Sequence, residues 1–233
     1  MNDRPVLALL PGLLCDARLW RPEIDGLSDL IDPRVADLTQ DDSITAMAER
    51  TLAGLPERFA LAGLSMGGYV ALEILRIAPA RVTRLALLDS SAIADRPEDS
   101  QRRRDLLALA DRGQFKGVTR QLLPRLIHRD RLEEEALTSV IYAMADAVGK
   151  AGFVRQQTAI MGRGDQRSLL PSIRIPTLVV VGRQDVLTPP ALAMELAAGI
   201  PEARLEVLED CGHLATLERP AETTAALRRW LNG

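Results

Sequence analysis

One serine stands in a pattern that is typical of a nucleophile at the tip of a sharp turn. Residues Gly63-Leu64-Ser65-Met66-Gly67 match G-x-S-x-G, in which a buried strand turns abruptly into a helix. The apolar run Phe59–Leu64 predicts that strand, and the almost wholly apolar stretch 65–78 predicts a buried helix. Because the two backbones crowd each other at such a turn, Gly63 and Gly67 leave no side chain in the way. We therefore expect the Ser65 hydroxyl to be lifted out of the sheet.

A serine hydroxyl is a weak nucleophile without a base, and the chain has only two histidines. His213 follows the last predicted strand. Because the carboxyl ends of parallel strands meet at one edge of a sheet, we expect His213 to reach Ser65. His128 lies in a charged helical stretch, where we expect an exposed polar side chain; a contact with the substrate is the alternative.

The base needs a carboxylate that orients the imidazole and stabilises its charged form. Asp185 directly follows a predicted buried strand and is the preferred candidate. The chain order Ser65, Asp185, His213 is the order expected when such a serine is part of a triad on a parallel sheet. Asp89 ends the preceding strand at the same edge and is the rival candidate. Asp210 is too close in sequence to aim easily at His213, and we expect it to shape the loop.

Two backbone N–H groups are candidates for an oxyanion hole. The segment Pro11-Gly12-Leu13 leaves the first predicted strand at the same edge of the sheet. Gly12 is expected to permit the turn, so that the N–H of Leu13 points inward beside that of Met66. Met66 opens a helix, where the helix dipole favours a developing negative charge. Two such donors would each stabilise a tetrahedral intermediate by about 3 kcal/mol.

Two other interpretations of the turn around Ser65 are open. The first is a plain glycine-rich connection between strand and helix. The second is a dinucleotide-binding fingerprint, in which Gly63, Ser65 and Gly68 precede a ribose-binding acid, here Asp89. In that fingerprint the middle residue is a glycine, because a pyrophosphate must approach the backbone there. The fingerprint also usually opens the first strand–helix unit, whereas this turn belongs to a later one. Both points favour the nucleophile.

The elements that must position these residues alternate between strands and helices. Six short apolar runs predict strands, at Val6–Leu10, 34–38, Phe59–Leu64, Val82–Leu88, 177–181 and Arg204–Leu208, and helices are predicted at about 43–55, 65–78, 189–198 and 220–231. This alternation predicts an α/β fold, a three-layer α/β/α sandwich with a mostly parallel sheet of about six strands. Residues 92–170 contain no convincing strand. We therefore expect a core of residues 1–91 and 171–233, with residues 92–170 inserted into it as a helical cap.

Composition excludes several classes of protein. The 233 residues are 47% hydrophobic and 26% charged, which is typical of a soluble globular domain, and a net charge of −3 argues against nucleic-acid binding. Cys15 and Cys211 are too few for a disulfide framework or a four-cysteine zinc site. We expect buried thiols and a cytoplasmic protein, with a disulfide between the two left open. The apolar run 6–15 is about half of a membrane span and no basic segment precedes it, so we expect neither a membrane segment nor a signal peptide.

Together these segments resemble the α/β-hydrolase fold family, in particular small capped members such as carboxylesterases, lactonases and carbon–carbon bond hydrolases. The resemblance spans almost the whole chain and rests on Leu10-Pro11-Gly12-Leu13, on residues 63–68, on Gly182-Arg183-Gln184-Asp185 and on Gly212-His213. It implies a triad of Ser65, His213 and Asp185, an oxyanion hole formed by Leu13 and Met66, and no cofactor or metal. One departure is Pro11, where many relatives have histidine, so that no side chain at that position braces the oxyanion loop.

The resemblance implies a serine hydrolase that cleaves small or aliphatic carboxylic esters through an acyl-enzyme on Ser65. The same triad would serve a lactonase, a carbon–carbon bond hydrolase or an esterase of carrier-bound acyl groups, and a non-catalytic ligand-binding protein is a more remote alternative. The predicted cap has 14 basic and 11 acidic residues, against a net charge of −6 elsewhere. A solvated helical face accounts for that charge; the sharper hypothesis is a surface for an acidic acyl carrier protein. The only aromatic residues of the cap, Phe115, Tyr142 and Phe153, favour small or aliphatic acyl groups.

Overall fold

Six parallel strands form the centre of the fold in this computed structural model, which describes residues 4–233. The strands are β1 (Val6–Leu10), β2 (Asp32–Val35), β3 (Phe59–Leu64), β4 (Val82–Leu88), β5 (Thr177–Gly182) and β6 (Arg204–Leu208). Their spatial order is β2-β1-β3-β4-β5-β6, and every neighbouring pair runs parallel. This sheet confirms the predicted fold class and the predicted number of strands. The strand order switches between β1 and β3, where open α/β sheets form a crevice for ligands.

Helices cover both faces of the sheet. They are α1 (Arg21–Gly26), α2 (Ile44–Ala53), α3 (Met66–Ile77), α4 (Pro97–Leu109), α5 (Glu135–Met161), α6 (Pro190–Gly199), α7 (Ala215–Glu218) and α8 (Pro220–Asn232). Side chains alternate along β1, so that Ala8 and Leu10 face one core and Leu7 and Leu9 face the other. Helices α2, α3 and α6 enclose the first core, and α1, α7 and α8 enclose the second. The result is a three-layer sandwich.

The second strand lies earlier in the chain than predicted. β2 covers Asp32–Val35 rather than 34–38 and is at the edge of the sheet, beside β1. Pro33 has no N–H, which an edge strand tolerates because one of its sides has no neighbour. Leu38 is buried, but its carbonyl accepts a hydrogen bond from the side chain of Gln156 instead of continuing the ladder. The apolar pattern around Leu38 therefore reflects a buried loop.

Helices and helical turns connect β4 to β5, and residues 92–170, all of which the structure describes, contain no strand. α5 is broken at Gly149, whose φ of 65° and ψ of −177° are not helical. Among the described residues, α5 is the one helix that is long and apolar enough to cross a membrane. Its residues Leu137, Ile141 and Met144 instead pack into the second core, and long core helices share this length and composition. The division of the chain at residues 92 and 170 stays a prediction.

Candidate active site

Ser65 lies at the turn between β3 and α3 in a strained conformation, with φ of 55° and ψ of −115°. A non-glycine residue in such a conformation costs on the order of 1–3 kcal/mol, so the surrounding structure must hold it. The Ser65 N–H donates to the carbonyl of Leu88 at the end of β4, at 2.9 Å. The Ser65 carbonyl accepts a hydrogen bond from the hydroxyl of Ser90, also at 2.9 Å. These two bonds fasten the strained turn to the neighbouring strand.

The glycines beside Ser65 are required by close approaches between backbones. A Cβ atom on Gly63 would lie 2.3 Å from the carbonyl oxygen of Gly67. A Cβ atom on Gly67 would lie 2.1 Å from the carbonyl oxygen of Leu10, at the end of β1. Both distances are far below van der Waals contact, so neither position holds a side chain unless the backbone moves. The crowding that the sequence pattern predicts is present at both glycines.

His213 lies between Ser65 and Asp185 and hydrogen-bonds to both. Its Nε2 atom is 2.8 Å from Ser65 Oγ, and its Nδ1 atom is 2.8 Å from Asp185 Oδ2. The backbone N–H of His213 donates to the carbonyl of Leu126 at 3.0 Å, so the segment between β4 and β5 also holds the histidine loop. His213 and Asp185 are buried. The structure therefore brings the three predicted residues together in one chain of hydrogen bonds.

Thr188, which the sequence analysis did not single out, completes the surroundings of Asp185. The Asp185 Oδ1 atom accepts from the N–H groups of Leu187 (2.8 Å) and Thr188 (3.0 Å), and Oδ2 accepts from the Thr188 hydroxyl (2.6 Å). Thr188 Oγ1 also lies 3.2 Å from His213 Nδ1. Because the Thr188 hydroxyl proton points to Asp185, Thr188 Oγ1 and Asp185 Oδ2 both act as acceptors towards His213 Nδ1. This arrangement favours the His213 tautomer with the proton on Nδ1, which leaves Nε2 free to accept the proton of Ser65.

Burial and charge act in opposite directions on the pair formed by His213 and Asp185. Burial disfavours the imidazolium, but the charge and hydrogen bond of Asp185, together with the nearby acids Asp89 and Glu218, outweigh burial and raise the pKa of His213 above 6.5. Burial also disfavours the Asp185 carboxylate, but the charge and hydrogen bond of His213, together with the hydrogen bonds from Thr188, outweigh burial and lower the pKa of Asp185 below 3.8. Asp185 is therefore ionised at neutral pH, in the state that stabilises a protonated histidine.

Asp89, the rival carboxylate, holds backbone groups instead of the imidazole. Its Oδ1 atom accepts from the N–H of Gly182 at 2.9 Å, and its Oδ2 atom accepts from the N–H of Ala215 at 3.3 Å. Burial and the nearby charge of Asp185 raise the pKa of Asp89 well above 3.8. Asp89 thus ties the end of β5 to the start of α7, two residues after His213.

The loop after β1 lies against the serine turn. A Cβ atom on Gly12 would lie 3.5 Å from Ser65 Cβ, an ordinary contact. Among the described residues, no protein acceptor takes the backbone N–H of Leu13 or of Met66. The positive φ of this loop, 59°, is at Leu14, so the expectation that Gly12 permits the turn is wrong. The Leu14 N–H donates to Oε1 of the buried Gln156 side chain at 3.0 Å.

The predicted exposure of His128 is wrong, because its side chain is buried. The backbone at Ile127 and His128 packs directly on Gly212, where a Cβ atom would lie 2.7 Å from the carbonyl carbon of Ile127. The His128 N–H donates to Glu218 Oε2 at 2.6 Å, and its ring Nδ1 accepts from the N–H of Asp130 at 3.3 Å. Charged neighbours in the sequence concealed this burial. A contact between His128 and a substrate stays a prediction.

Glu218 is a second residue that sequence reasoning missed. Its carboxylate is buried and also accepts from the N–H groups of Gly212 (2.9 Å) and Leu214 (3.3 Å), which flank His213. Burial raises the pKa of Glu218, and the N–H donors only partly oppose that shift. The only signal in the sequence is an acidic residue five positions after the histidine. Nothing local predicts that it would turn inward.

Both cysteines are free and buried, which answers the question of a disulfide between them. Cys15 Sγ lies 3.4 Å from the carbonyl oxygen of Leu13, and Cys211 Sγ lies 3.7 Å from that of Gly212. Burial raises the pKa of the Cys15 thiol to about 12 and raises that of Cys211 further. Within residues 4–233, no group of three or more histidine, cysteine, aspartate or glutamate side chains is arranged to hold a metal ion.

A small apolar cluster joins the segment between β4 and β5 to the loop after β1. Its buried members are Leu14, Ala110, Ala145 and Phe153, and Leu13 and Phe115 pack against them. The rings of Phe115 and Phe153 are tilted against each other with centroids 5.1 Å apart. Apolar side chains therefore lie beside the loop that adjoins Ser65, on the side that faces the helical segment.

The parallel sheet, the serine at a strained strand–helix turn and the buried His213–Asp185 pair define a hydrolase-type α/β protein. The chain belongs to the alpha/beta hydrolase family, whose family model matches residues 6–227.

Three proteins with known names are similar to almost the whole of this chain. The chain is 28% identical to the pimeloyl-[acyl-carrier protein] methyl ester esterase of Aromatoleum aromaticum, over 99% of this chain and 100% of the relative. A thermophilic esterase from Thermogutta terrifontis has a similar structure, with a TM-score of 0.89 and 28% identity over 98% of this chain and 89% of the other. The enol-lactonase from Burkholderia xenovorans LB400 has a TM-score of 0.84 and 26% identity, over 100% of this chain and 93% of the other.

Proposed function

We propose that this protein is a serine esterase that hydrolyses small or aliphatic carboxylic esters through an acyl-enzyme on Ser65. The observation that carries the proposal is the continuous chain of hydrogen bonds from Ser65 Oγ through His213 to Asp185 Oδ2. A positioned base and an ionised carboxylate are what a serine hydroxyl needs to act as a nucleophile. The similarity to esterases supports the same reaction class.

Acylation begins when Ser65 Oγ attacks the carbonyl carbon of the ester. His213 Nε2 accepts the hydroxyl proton, and the resulting imidazolium is stabilised by Asp185. The carbonyl oxygen becomes an oxyanion, for which the N–H groups of Leu13 and Met66 are the proposed donors. The intermediate then collapses: the bond between the carbonyl carbon and the leaving oxygen breaks, and His213 gives its proton to the departing alcohol.

Deacylation repeats these steps with water. His213 Nε2 removes a proton from a water molecule as that water attacks the acyl carbon on Ser65. The bond between the acyl carbon and Ser65 Oγ then breaks, and the proton returns from His213 to Ser65. The products are a carboxylic acid and the free enzyme, and Asp185 stays ionised throughout because its pKa is low.

Two observations favour a second candidate substrate, a methyl ester on a carrier-bound acyl chain. The curated relative of Aromatoleum aromaticum, matched over its full length, acts on such an ester by its name. Residues 92–170 also carry a net charge of +3, the sign that an acidic carrier protein would meet. Lactone opening uses the same proposed groups, and the similarity to an enol-lactonase makes lactones a further class to include in substrate profiling.

The test is a burst and steady-state assay with p-nitrophenyl acetate and p-nitrophenyl butyrate. We expect a p-nitrophenolate burst and turnover in the wild type, none in Ser65→Ala, and a roughly 10⁴-fold lower kcat in Asp185→Asn. Asp89→Asn should lose much less, because Asp89 bonds to backbone groups and not to the imidazole. Turnover that survives in Ser65→Ala, or a wild type that is inactive on esters and lactones alike, would overturn the proposal. A free methyl ester compared with the same ester on acyl carrier protein decides between the two substrates.

A further inference from the structure

We propose that Gln156 is a positioning residue that holds the oxyanion loop in its active conformation. Gln156 lies on α5, far from Ser65 in the sequence, and its side chain is completely buried. Its Oε1 atom accepts from the N–H of Leu14 at 3.0 Å, and its Nε2 atom donates to the carbonyl of Leu38 at 3.2 Å. The inference rests on the proposed function, in which Leu13 supplies an oxyanion donor.

The loop that Gln156 contacts is a strained tight turn. The N–H of Cys15 donates to the carbonyl of Gly12 at 3.2 Å, which closes a four-residue turn with Leu13 and Leu14 at its centre. The third residue, Leu14, has a φ of 59°, whereas Leu13 is not among the residues with positive φ. A turn of this kind strongly favours glycine at its third position. Leucine there costs on the order of 1–3 kcal/mol, which other contacts must supply.

The bond to Gln156 acts on the peptide group that decides this conformation. Type I and type II β-turns differ mainly by a flip of the central peptide, and the flip changes the sign of φ at the third residue. Here the central peptide joins Leu13 to Leu14, and its N–H is the group that Gln156 accepts. In a variant that lacks this acceptor, a flip would relieve the strain at Leu14. The flip would also turn the Leu14 N–H away from the side chain that replaces Gln156, so that this N–H is not left buried there without a partner.

The same flip would disturb the proposed oxyanion donor. The N–H of Leu13 belongs to the preceding peptide group, whose carbonyl, that of Gly12, is fixed by Cys15. A flip of the next peptide breaks the bond between Leu14 and Gln156. The turn then loses this attachment to α5 and can shift relative to Ser65, carrying the Leu13 N–H with it. Pro11 has neither a backbone N–H nor a side-chain hydrogen-bonding group that would resist this motion. Within the turn, the Cys15 thiol contacts the Leu13 carbonyl at 3.4 Å, and Gln156 is the side chain that ties the turn to α5.

Gln156 is itself held firmly, so that it determines the position of the loop. Its second bond, to Leu38, ties it to the loop that follows β2. The neighbouring Arg155 donates from Nε to the carbonyl of Thr39 at 2.7 Å, which fastens the same turn of α5 to the same loop. The brace therefore connects three parts of the fold: the loop after β2, α5 and the loop after β1.

Gln157 offers a matched control. It is the next residue on α5, is also buried, and its Oε1 atom accepts from Arg103 Nη1 at 2.7 Å, away from the loop after β1. Gln156→Leu and Gln157→Leu therefore each remove one buried amide from the same helix. Gln156→Glu is the conservative variant, because a protonated carboxyl group keeps an acceptor for Leu14 and a donor for Leu38.

Kinetics with p-nitrophenyl butyrate test the link to catalysis. A misplaced oxyanion donor costs up to 10²–10³-fold in kcat, so we expect a kcat about 10- to 100-fold lower in Gln156→Leu, with KM within about threefold of the wild type. Affinity for a trifluoromethyl ketone, which forms a tetrahedral adduct, should fall in parallel. Gln157→Leu should keep the wild-type kcat, and Gln156→Glu should recover most of it. Equal kcat losses in the two leucine variants, or a loss confined to KM, would overturn the inference.

Amide hydrogen exchange at Leu14, followed by NMR, tests the brace without any assay of activity. We expect exchange to accelerate at least tenfold in Gln156→Leu and to stay at the wild-type rate in Gln157→Leu, with both variants folded by circular dichroism. Unchanged protection of Leu14 in Gln156→Leu would overturn the brace even in an active enzyme. A wild type without Ser65-dependent turnover would instead contradict the proposed function, and the exchange result would still decide the role of Gln156 in the loop.

Discussion

His128 donates its backbone N–H to the buried carboxylate of Glu218 at 2.6 Å, and this bond joins the segment between β4 and β5 to the histidine loop. The same carboxylate accepts the N–H groups of Gly212 and Leu214, on either side of His213. One side chain thus satisfies three backbone donors that would otherwise be buried without partners. The position of the proposed base therefore depends on a residue that takes no part in proton transfer.

Replacement of Glu218 should separate these contacts. In Glu218→Gln the amide oxygen still accepts from Gly212 and Leu214, but its NH₂ group faces the N–H of His128, so we expect a loss of about 1–3 kcal/mol in the free energy of unfolding. Glu218→Leu leaves all three donors unpartnered, and we expect a larger loss together with a lower kcat. Urea unfolding and esterase kinetics measure both effects. Glu222→Gln changes an exposed acid on α8 and serves as the control; equal stability of Glu218→Leu and that control would contradict the prediction.

The pKa of His213 should set the acid limb of the activity. Burial lowers its pKa, but Asp185, through its charge and hydrogen bond, and the nearby acids Asp89 and Glu218 together raise it above 6.5. The proposed base works only as the neutral imidazole, so we expect kcat/KM to fall as the pH drops through a midpoint above 6.5. In Asp185→Asn the burial remains and the attraction is lost, so the pKa should move down. NMR titration of the ring protons measures the pKa of His213 directly. The chain has two histidines, so the histidine signal that remains in His128→Gln is that of His213. A pKa of His213 that rises or stays unchanged in Asp185→Asn would contradict this prediction.

Local sequence patterns were sufficient for the residues that meet at the carboxyl edge of the sheet. Each of the three residues stands in a short sequence pattern that shows which predicted strand it follows. These residues are Ser65, Asp185 and His213. Parallel strands then bring such loops to one edge, so topology supplies the proximity. The structure brings the three side chains into one chain of hydrogen bonds for this reason.

The residues that support the site could not be found in this way. Gln156 hydrogen-bonds to Leu14, 142 positions away, and Glu218 to His128, 90 positions away. Neither bond leaves a periodic pattern, because each acceptor is a single polar residue in an otherwise ordinary helical segment. β2 begins two residues earlier than the sequence pattern predicts, for a similar reason: Leu38 is apolar because its loop is buried, not because it pairs in the sheet.

Two glycines near Ser65 should differ sharply in their tolerance of alanine. A Cβ atom at position 67 would lie 2.1 Å from the Leu10 carbonyl oxygen, whereas one at position 12 would lie 3.5 Å from its nearest neighbours. Neither Gly67 nor Gly12 has a positive φ, so the difference is one of space alone. We expect Gly67→Ala to lose about 3 kcal/mol or more in the free energy of unfolding and Gly12→Ala to lose less than about 1 kcal/mol. Similar urea midpoints for the two variants would contradict this account.

A buried acid on α1 should make the stability of the protein depend on pH. Glu23 is completely buried, and neither carboxyl oxygen has a hydrogen-bond partner among the described residues. Burial raises the pKa of Glu23 well above 4.5, so the folded chain keeps the proton while the unfolded chain releases it. Its contribution to stability is therefore complete below pH 4.5 and is lost, by about 1.4 kcal/mol per pH unit, as the pH rises towards the folded-state pKa.

Glu23→Gln removes this titration, so its free energy of unfolding should gain on that of the wild type as the pH rises from 5 to 8. Asp25→Asn, an exposed acid on the same helix, is the control. A difference between Glu23→Gln and the wild type that does not change with pH would show that Glu23 is ionised in the folded protein.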